Sequence, residues 1–213
     1  KNIPLSSPVV EKLIAIPNEV ENFIWLIAHQ WNSANFLVYK LTSEGISQAS
    51  IQNIGNIHSG AIINGVGYMK ASPDGGTIAL INRSISSAEI FQFYKATGQL
   101  SNNLTIGIQL NFLYGLEFSS DGSKLYVGTN NQIYQFNINP YNQASISSSA
   151  TLITTASNLL RALQLGPDNK IYIAMDNQSF LGVIRNPNAQ GTNSNYIENG
   201  FGLSGVCKFG LPT

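Results

Sequence analysis

A short pattern occurs three times in the sequence at a constant spacing. The copies are Gly67–Leu80, Tyr114–Val127 and Arg161–Ala174. Each copy contains an aspartate, and these aspartates are evenly spaced, since 121 − 74 = 47 and 168 − 121 = 47. A constant period of roughly 40–50 residues in a chain of short strands is typical of the blades of a β-propeller. This repeat constrains the fold more than any other feature of the sequence.

Each copy of the repeat is centred on a hairpin turn. Residues 73–76 have the sequence Pro-Asp-Gly-Gly, and residues 167–170 have the sequence Pro-Asp-Asn-Lys. Proline presets φ at the first turn position, aspartate hydrogen-bonds the backbone, and glycine or asparagine tolerates a positive φ. Asp74, Asp121 and Asp168 are therefore interpreted as turn residues rather than as catalytic acids.

The repeat predicts an all-β protein, a β-propeller of the WD40 or YVTN type with four-stranded antiparallel blades. One domain is expected over residues 1–213, with blades at 10–56, 66–110, 112–156 and 159–203 and the start of another at 205–213. No segment has a sustained helical period, so helix content should be near zero.

The number of blades indicates an incomplete ring. Closed propellers have about 4–8 blades, and the sequence predicts four blades and part of a fifth. It also begins and stops within the pattern, which is typical of a piece of a longer polypeptide. An open arc leaves two blade faces without neighbours, so a missing propeller segment or another chain is expected to cover them.

Composition excludes several classes of partner. Lysine plus arginine and aspartate plus glutamate both number 11, so the formal net charge is zero, and no basic stripe indicates nucleic-acid binding. No apolar run is long enough to span a membrane. Cys207 is the only cysteine, so no disulfide or CxxC metal pair is possible within the chain. Glycines at 65–67 and 200–202 are better interpreted as turns than as phosphate loops, and no cofactor is predicted.

One position of the inner strand is polar where its neighbours are apolar. Lys70, Glu117 and Gln164 share this position, since 117 − 70 = 47 and 164 − 117 = 47. Such side chains should point into the central channel or into a seam between blades, and Lys70 could pair with Glu117 across adjacent blades. The pattern favours a structural role, with a ligand-facing role as the alternative.

Further candidates for ligand binding lie near strand ends, where loops cluster. They are Trp31, Tyr68, Tyr114 and Arg161, and the ligand they would bind on the propeller face is a protein or a glycan. His29 and His58 could approach one another, and a metal site would also require carboxylates clustered with them. Both histidines are predicted to be structural.

Several strings resemble a known protein region. They are VEKLIAIPN at 10–18, AHQW at 28–31, IHSG at 57–60, the three repeats, and LGVIRNPNAQG with NGFGLSG at 181–205. In this order they resemble the propeller region of large secreted proteins of gliding, Bacteroidetes-type bacteria, which carry a gliding-motility-associated, type B C-terminal sorting domain. The resemblance implies export by the type IX secretion system, an extracellular or cell-surface location, and a role in adhesion, binding or display. It supplies no catalytic residues.

The sequence therefore predicts a non-catalytic binding, adhesion or display module. The alternative is a channel-centred hydrolase or lactonase. Some propeller lactonases hold a metal with glutamate and asparagine in the channel, and Glu117, Asn18 and Asn158 could imitate that set. No G-x-S-x-G elbow occurs.

Overall fold

The computed structural model describes residues 4–106 and 112–211. Four antiparallel sheets follow one another along this part of the chain and form the blades of a β-propeller. The predicted all-β propeller with four-stranded antiparallel blades is confirmed. The outer limits predicted for the domain and for two blades, at residues 1, 110 and 213, lie outside the described residues.

Each blade is a meander whose first strand is the innermost. Blade 1 contains β1 (Val9–Asn18), β2 (Phe23–Gln30), β3 (Ser33–Thr42), β4 (Gly45–Ile46) and β5 (Ser50–His58). Blade 2 contains β6 (Met69–Ala71), β7 (Thr77–Asn82), β8 (Ser87–Tyr94) and β9 (Gln99–Ile106). Blade 3 contains β10 (Leu116–Phe118), β11 (Lys124–Gly128), β12 (Gln132–Asn137) and β13 (Thr151–Thr155). Blade 4 contains β14 (Leu160–Leu165), β15 (Ile171–Met175), β16 (Phe180–Ile184) and β17 (Tyr196–Gly202).

Two details differ from the sequence-based prediction. The segment 43–46 was expected to be only a turn, but it contains β4, which pairs with the end of β3, while β5 also pairs with β3. Helix content was expected to be near zero, but a short helix, α1 (Gln143–Ser148), precedes β13. The side chain of Asn142 caps α1 by accepting a hydrogen bond from the Ser145 N–H at 3.1 Å. A helix of one or two turns is too short to show a period in the sequence.

Short 3₁₀ turns at Ile62–Gly65 and Gly191–Ser194 complete the helical residues of the described part. None of these helical segments has the length and hydropathy needed to cross a bilayer.

The blades are held together by apolar residues on both faces of each sheet. In β7, Ile78 and Leu80 pack with blade 1, whereas Ala79 and Ile81 pack with blade 3. Successive side chains of a strand point to opposite faces. A continuous apolar run in a strand therefore marks a sheet that is covered on both sides.

The inner strands form an open series. β1 contacts β6, β6 contacts β10, and β10 contacts β14, whereas β14 and β1 share no comparable contact among the described residues. On the face of blade 1 that points away from blade 2, Leu13 and Ile51 belong to one cross-strand row. Their exposed fractions are 67 % and 64 %. Blade 1 therefore keeps exposed apolar side chains on this face, although Leu37 in the same row is only 2 % exposed.

The predicted inner strand of a fifth blade, residues 205–211, is not a β-strand. It nevertheless lies against blade 4. The carbonyl of Phe209 accepts a hydrogen bond from the Ala162 N–H at 3.1 Å, and 209 − 162 = 47. Between blades 2 and 3 the Tyr68 N–H donates to the Tyr114 carbonyl at 3.0 Å, and since 114 − 68 = 46, this similar contact differs by one residue in register. Among the described residues this segment has the position of a next inner strand but belongs to no sheet.

The seam between blades 1 and 2 contains buried titratable groups. The rings of His29 and His58 lie 4.1 Å apart, centroid to centroid, and His58 Nε2 lies 3.4 Å from Glu89 Oε2. Burial lowers the pKa of both histidines, that of His29 to about 3. Burial opposes ionisation of Glu89, but the nearby His58 ring and hydrogen bonds from Asn82 and the Asn56 N–H outweigh it and lower its pKa. No group of three or more metal-ligating side chains is present among the described residues.

Lys12 is the most unusual member of this seam, because only 1 % of its surface is exposed. Its Nζ lies 3.4 Å from the carbonyl oxygens of Gly65 and Val66 and forms no ion pair within the described chain. Burial lowers the pKa of Lys12 to about 8, although the charge of Glu11 opposes the shift. The ammonium is therefore charged at neutral pH at a cost in folding free energy.

We expect Lys12→Met to raise the thermal unfolding midpoint at pH 7, because it removes a buried charge while keeping the length of the side chain. The unfolded lysine has a pKa of 10.5 and the folded one about 8. Between these values the unfolded chain binds more protons, so wild-type stability gains a contribution that rises with pH. The substitution should remove that rise. Lys95→Met, at an exposed lysine, is the control, and a lower midpoint for Lys12→Met at pH 7 would contradict the interpretation.

Candidate channel site

A cavity of about 1080 Å³ lies where the inner strands converge. Two uninterrupted stretches, 13–21 and 68–75, form much of its wall. If only one face of a strand lined the cavity, every second residue of that strand would be missing from the wall, because successive side chains point to opposite faces. The unbroken stretches show that the edges of β1 and β6 face the cavity. We therefore interpret the cavity as the central channel of the propeller. We call it the channel cavity.

Three polar side chains at the repeated inner-strand position meet at the wall of the channel cavity. Lys70 Nζ lies 3.1 Å from Glu117 Oε2 and donates a hydrogen bond to Gln164 Oε1 at 2.5 Å. The side-chain amide of Gln164 donates to the Leu165 carbonyl at 3.2 Å. The pair suggested from the repeat, Lys70 with Glu117, is present, and it extends to blade 4 through Gln164.

The carboxylate of Glu117 is almost fully committed to the protein. It accepts hydrogen bonds from the backbone N–H groups of Phe118 at 2.9 Å and Leu165 at 3.0 Å, in addition to the Lys70 contact. Burial raises the pKa of Glu117, and the charge of Lys70 with these hydrogen bonds partly offsets the rise. These contacts bridge blades 2, 3 and 4. The main role of Glu117 is therefore to join neighbouring blades, and contact with a ligand is secondary.

An aromatic group lies at the other end of the inner strands. The Tyr68 and Tyr114 rings are 5.5 Å apart, and the Tyr114 and Phe209 rings are 6.2 Å apart, both edge to face. The Arg161 guanidinium lies 4.5 Å from the Phe209 ring centroid and pairs with Asp176 at 2.7 Å. Of the predicted residues here, Tyr68 lines the channel cavity, whereas Tyr114 and Arg161 do not.

Trp31 does not join the other predicted residues. It lines a separate, smaller cavity of about 280 Å³ with Glu11, Ile62 and Val66. A Cβ placed on Gly65 would lie 3.6 Å from the Trp31 ring, so the indole packs on the chain that connects blades 1 and 2. The structure therefore separates Trp31 from the channel cavity.

The residues considered for a lactonase-like metal site are not brought together as one set. Asn18 lines the channel cavity, but its side chain donates to the Lys95 carbonyl and accepts from the Glu21 N–H. The Asn158 amide donates to Glu198 Oε1 at 2.8 Å and does not line the channel cavity. Each of these side chains already has a structural partner.

Sequence reasoning missed the serines that complete the repeated turns. The Ser72 hydroxyl donates to Asp74 and accepts from the Thr77 N–H at 3.0 Å. Ser119, which is 47 residues later, makes the same pair of contacts with Asp121 and Lys124. The aspartates are thus turn residues, as interpreted. The 47-residue spacing of Ser72 and Ser119, which matches the repeat, could have revealed the role of the serines.

The exposed wall of β1 was also missed. Leu13, Ala15 and Pro17 alternate along one face of β1 and line the channel cavity. The signal was weak, because alternation over three residues in a proline-containing strand does not show which side is open.

No family model and no curated protein sequence matches the chain. The comparison with solved structures shows its fold. The chain is a β-propeller. A candidate 6-phosphogluconolactonase from Bacteroides uniformis matches with a TM-score of 0.65 and 15 % identity, over 92 % of this chain and 56 % of that one.

Other solved propellers match over similar lengths. The WD40 repeats of RRP9 match with a TM-score of 0.54 and 15 % identity, over 90 % of this chain and 52 % of that one. A gluconolactonase from Xanthomonas campestris matches with a TM-score of 0.50 and 13 % identity, over 76 % and 52 %. The chain thus spans about half the length of the structures that it matches. At these identities the similarity concerns the fold alone.

We expect Glu117→Gln to lower the free energy of unfolding by roughly 3 kcal/mol, because it leaves the Lys70 ammonium without its counter-charge in a largely buried position. The double substitution Lys70→Met with Glu117→Gln should recover part of this loss, because it also removes the unpaired ammonium, although the single carbonyl oxygen of glutamine can accept only one of the two backbone hydrogen bonds that Glu117 accepts from Phe118 and Leu165. Urea unfolding monitored by tryptophan fluorescence measures both.

The control for that experiment is Glu21→Gln, which breaks the exposed pair of Glu21 with Lys40. It should change the free energy of unfolding by less than about 1 kcal/mol. If Glu117→Gln were equally mild, the proposed joint between blades would be wrong.

Proposed function

We propose that the protein is a non-catalytic binding module that takes its ligand in the channel cavity. The observation that carries this proposal is a roomy cavity whose buried ion pair, Lys70 with Glu117, is already neutralised, while its other charged residues, Glu19, Glu21, Asp74 and Lys95, lie in exposed turns. Lys70, Glu117 and Gln164 satisfy one another within the protein. A neutral ligand with hydrogen-bonding groups and apolar surface suits such a wall better than a strongly charged one.

The alternative, a hydrolase or lactonase, has less support from this cavity. Glycoside hydrolysis needs two carboxyl groups on opposite sides of the bond that is cut. Glu117 is held by Lys70 and two backbone N–H groups, and Asp74 is held by its turn. Neither carboxylate is placed as a free base. The lactonases among the similar structures support the shared fold only.

Coverage of the open blade face is a second part of the proposal. Ile24 and Ile51 lie on this face outside the channel cavity, with exposed fractions of 37 % and 64 %, and exposed apolar surface of this kind marks an interface. We infer that a further propeller segment or another chain packs there. Sedimentation analysis of the isolated chain should show association that Ile51→Lys abolishes. A monomer in both cases would contradict this inference.

Export is the third part. Its support is the resemblance to the propeller region of type IX secreted proteins, which implies display at the cell surface. Fractionation of the source cells tests it: the protein should be found at the surface or in the medium, and confinement to the cytoplasm would overturn it.

The main prediction concerns the channel cavity. Purified protein should bind a member of a neutral glycan array or of a linear peptide library, and Leu13→Arg should weaken that binding at least about tenfold, which corresponds to about 1.4 kcal/mol. Leu13 lies on the cavity wall and is exposed, so the variant should still fold.

The matched control is Ile62→Arg. Ile62 is 90 % exposed and lies outside the channel cavity, so this substitution should leave the affinity unchanged. Equal losses in the two variants, or a loss with Ile62→Arg alone, would place the ligand elsewhere and overturn the proposal.

A further inference from the structure

β1 has a long edge without a partner strand. Its only ladder is with β2, and its backbone forms no other backbone hydrogen bond within residues 4–106 and 112–211. β1 has ten residues, whereas the inner strands β6 and β10 have three each. At about 3.3 Å per residue this edge is roughly 30 Å long. Unpaired N–H and C=O groups in such a row form a template for another strand.

This edge faces the channel cavity. The uninterrupted wall stretch 13–21 begins within β1 and continues through its final turn. An extended chain that entered the channel cavity would therefore lie alongside β1, in the direction in which its free backbone groups point.

We propose that the ligand of the channel cavity is an extended peptide that pairs with the free edge of β1 as an added strand. The inference rests on the proposed function, because it assigns the ligand class of the same site. Main-chain hydrogen bonds supply the affinity in such a complex, and the pockets for alternate side chains supply the specificity.

The dimensions of the channel cavity allow a peptide. At about 1080 Å³ it has room for a short extended chain. Leu13 and Ala15 alternate on its wall and offer apolar contacts two residues apart, which is the spacing of side chains on one face of a strand. Pro17 has no N–H group, so pairing should end before it.

The opposite wall offers a polar contact. A lysine ammonium has three N–H donors, and Glu117 and Gln164 accept from two of those of Lys70. The third N–H can bond a carbonyl or side-chain oxygen of the peptide. Because Lys70 already has its counter-charge, an apolar peptide with uncharged polar groups fits better than an acidic one.

The test uses the whole chain and a library of linear seven-residue peptides. Selected peptides are synthesised in three forms: unmodified, N-methylated at the odd-numbered amides, and N-methylated at the even-numbered amides. In a strand paired on one side, only alternate residues direct their N–H groups to the partner. One methylated form should therefore lose at least about tenfold in affinity, which corresponds to about 1.4 kcal/mol, and the other should bind like the parent peptide.

Each outcome of this experiment has a defined meaning. Equal affinities for the two methylated forms would overturn strand pairing. Binding of neutral glycans without binding of any peptide would overturn the peptide ligand but keep the channel cavity as a binding site. Peptides that bind Leu13→Arg as tightly as the wild type would overturn both this inference and the proposed function.

Discussion

The propeller depends on burying each apolar sheet on both faces. Strand β7 has Ile78 and Leu80 on one face and Ala79 and Ile81 on the other. Such a strand is not stable without neighbouring sheets on both sides, because apolar side chains would then be exposed to water. Neighbouring blades satisfy this requirement in turn along the chain. Within residues 4–106 and 112–211 the first blade has no neighbour on one side, so its exposed face is a direct consequence of the packing that holds the rest together.

The same packing brings the inner strands together and determines the chemistry of the channel. Polar groups at one repeated position are forced into a partly dry space, where an unpaired charge costs several kcal/mol. Lys70, Glu117 and Gln164 meet this cost by bonding one another across three blades. An inner wall whose buried charges are paired in this way is poorly suited to acid–base chemistry and well suited to recognition through hydrogen bonds and apolar contacts.

The sequence revealed the architecture because the repeat carries it. The evenly spaced aspartates and the continuous apolar strands predicted the blades, and the polar register predicted the contact of Lys70 with Glu117. The sequence did not reveal α1, whose formation depends on one cap at Asn142 and one buried side chain, Ile146. It also grouped Trp31 with the ligand candidates, because position at a strand end does not show towards which cavity a loop residue turns.

The central claim is that β1 presents an unpaired edge to the channel, and amide hydrogen exchange along Val9–Asn18 tests it most directly. Amides that bond β2 should be protected, and those that face the channel should exchange rapidly, which gives a two-residue alternation in the protein without ligand. Uniform protection along the strand would show that the edge is already paired and would contradict the account.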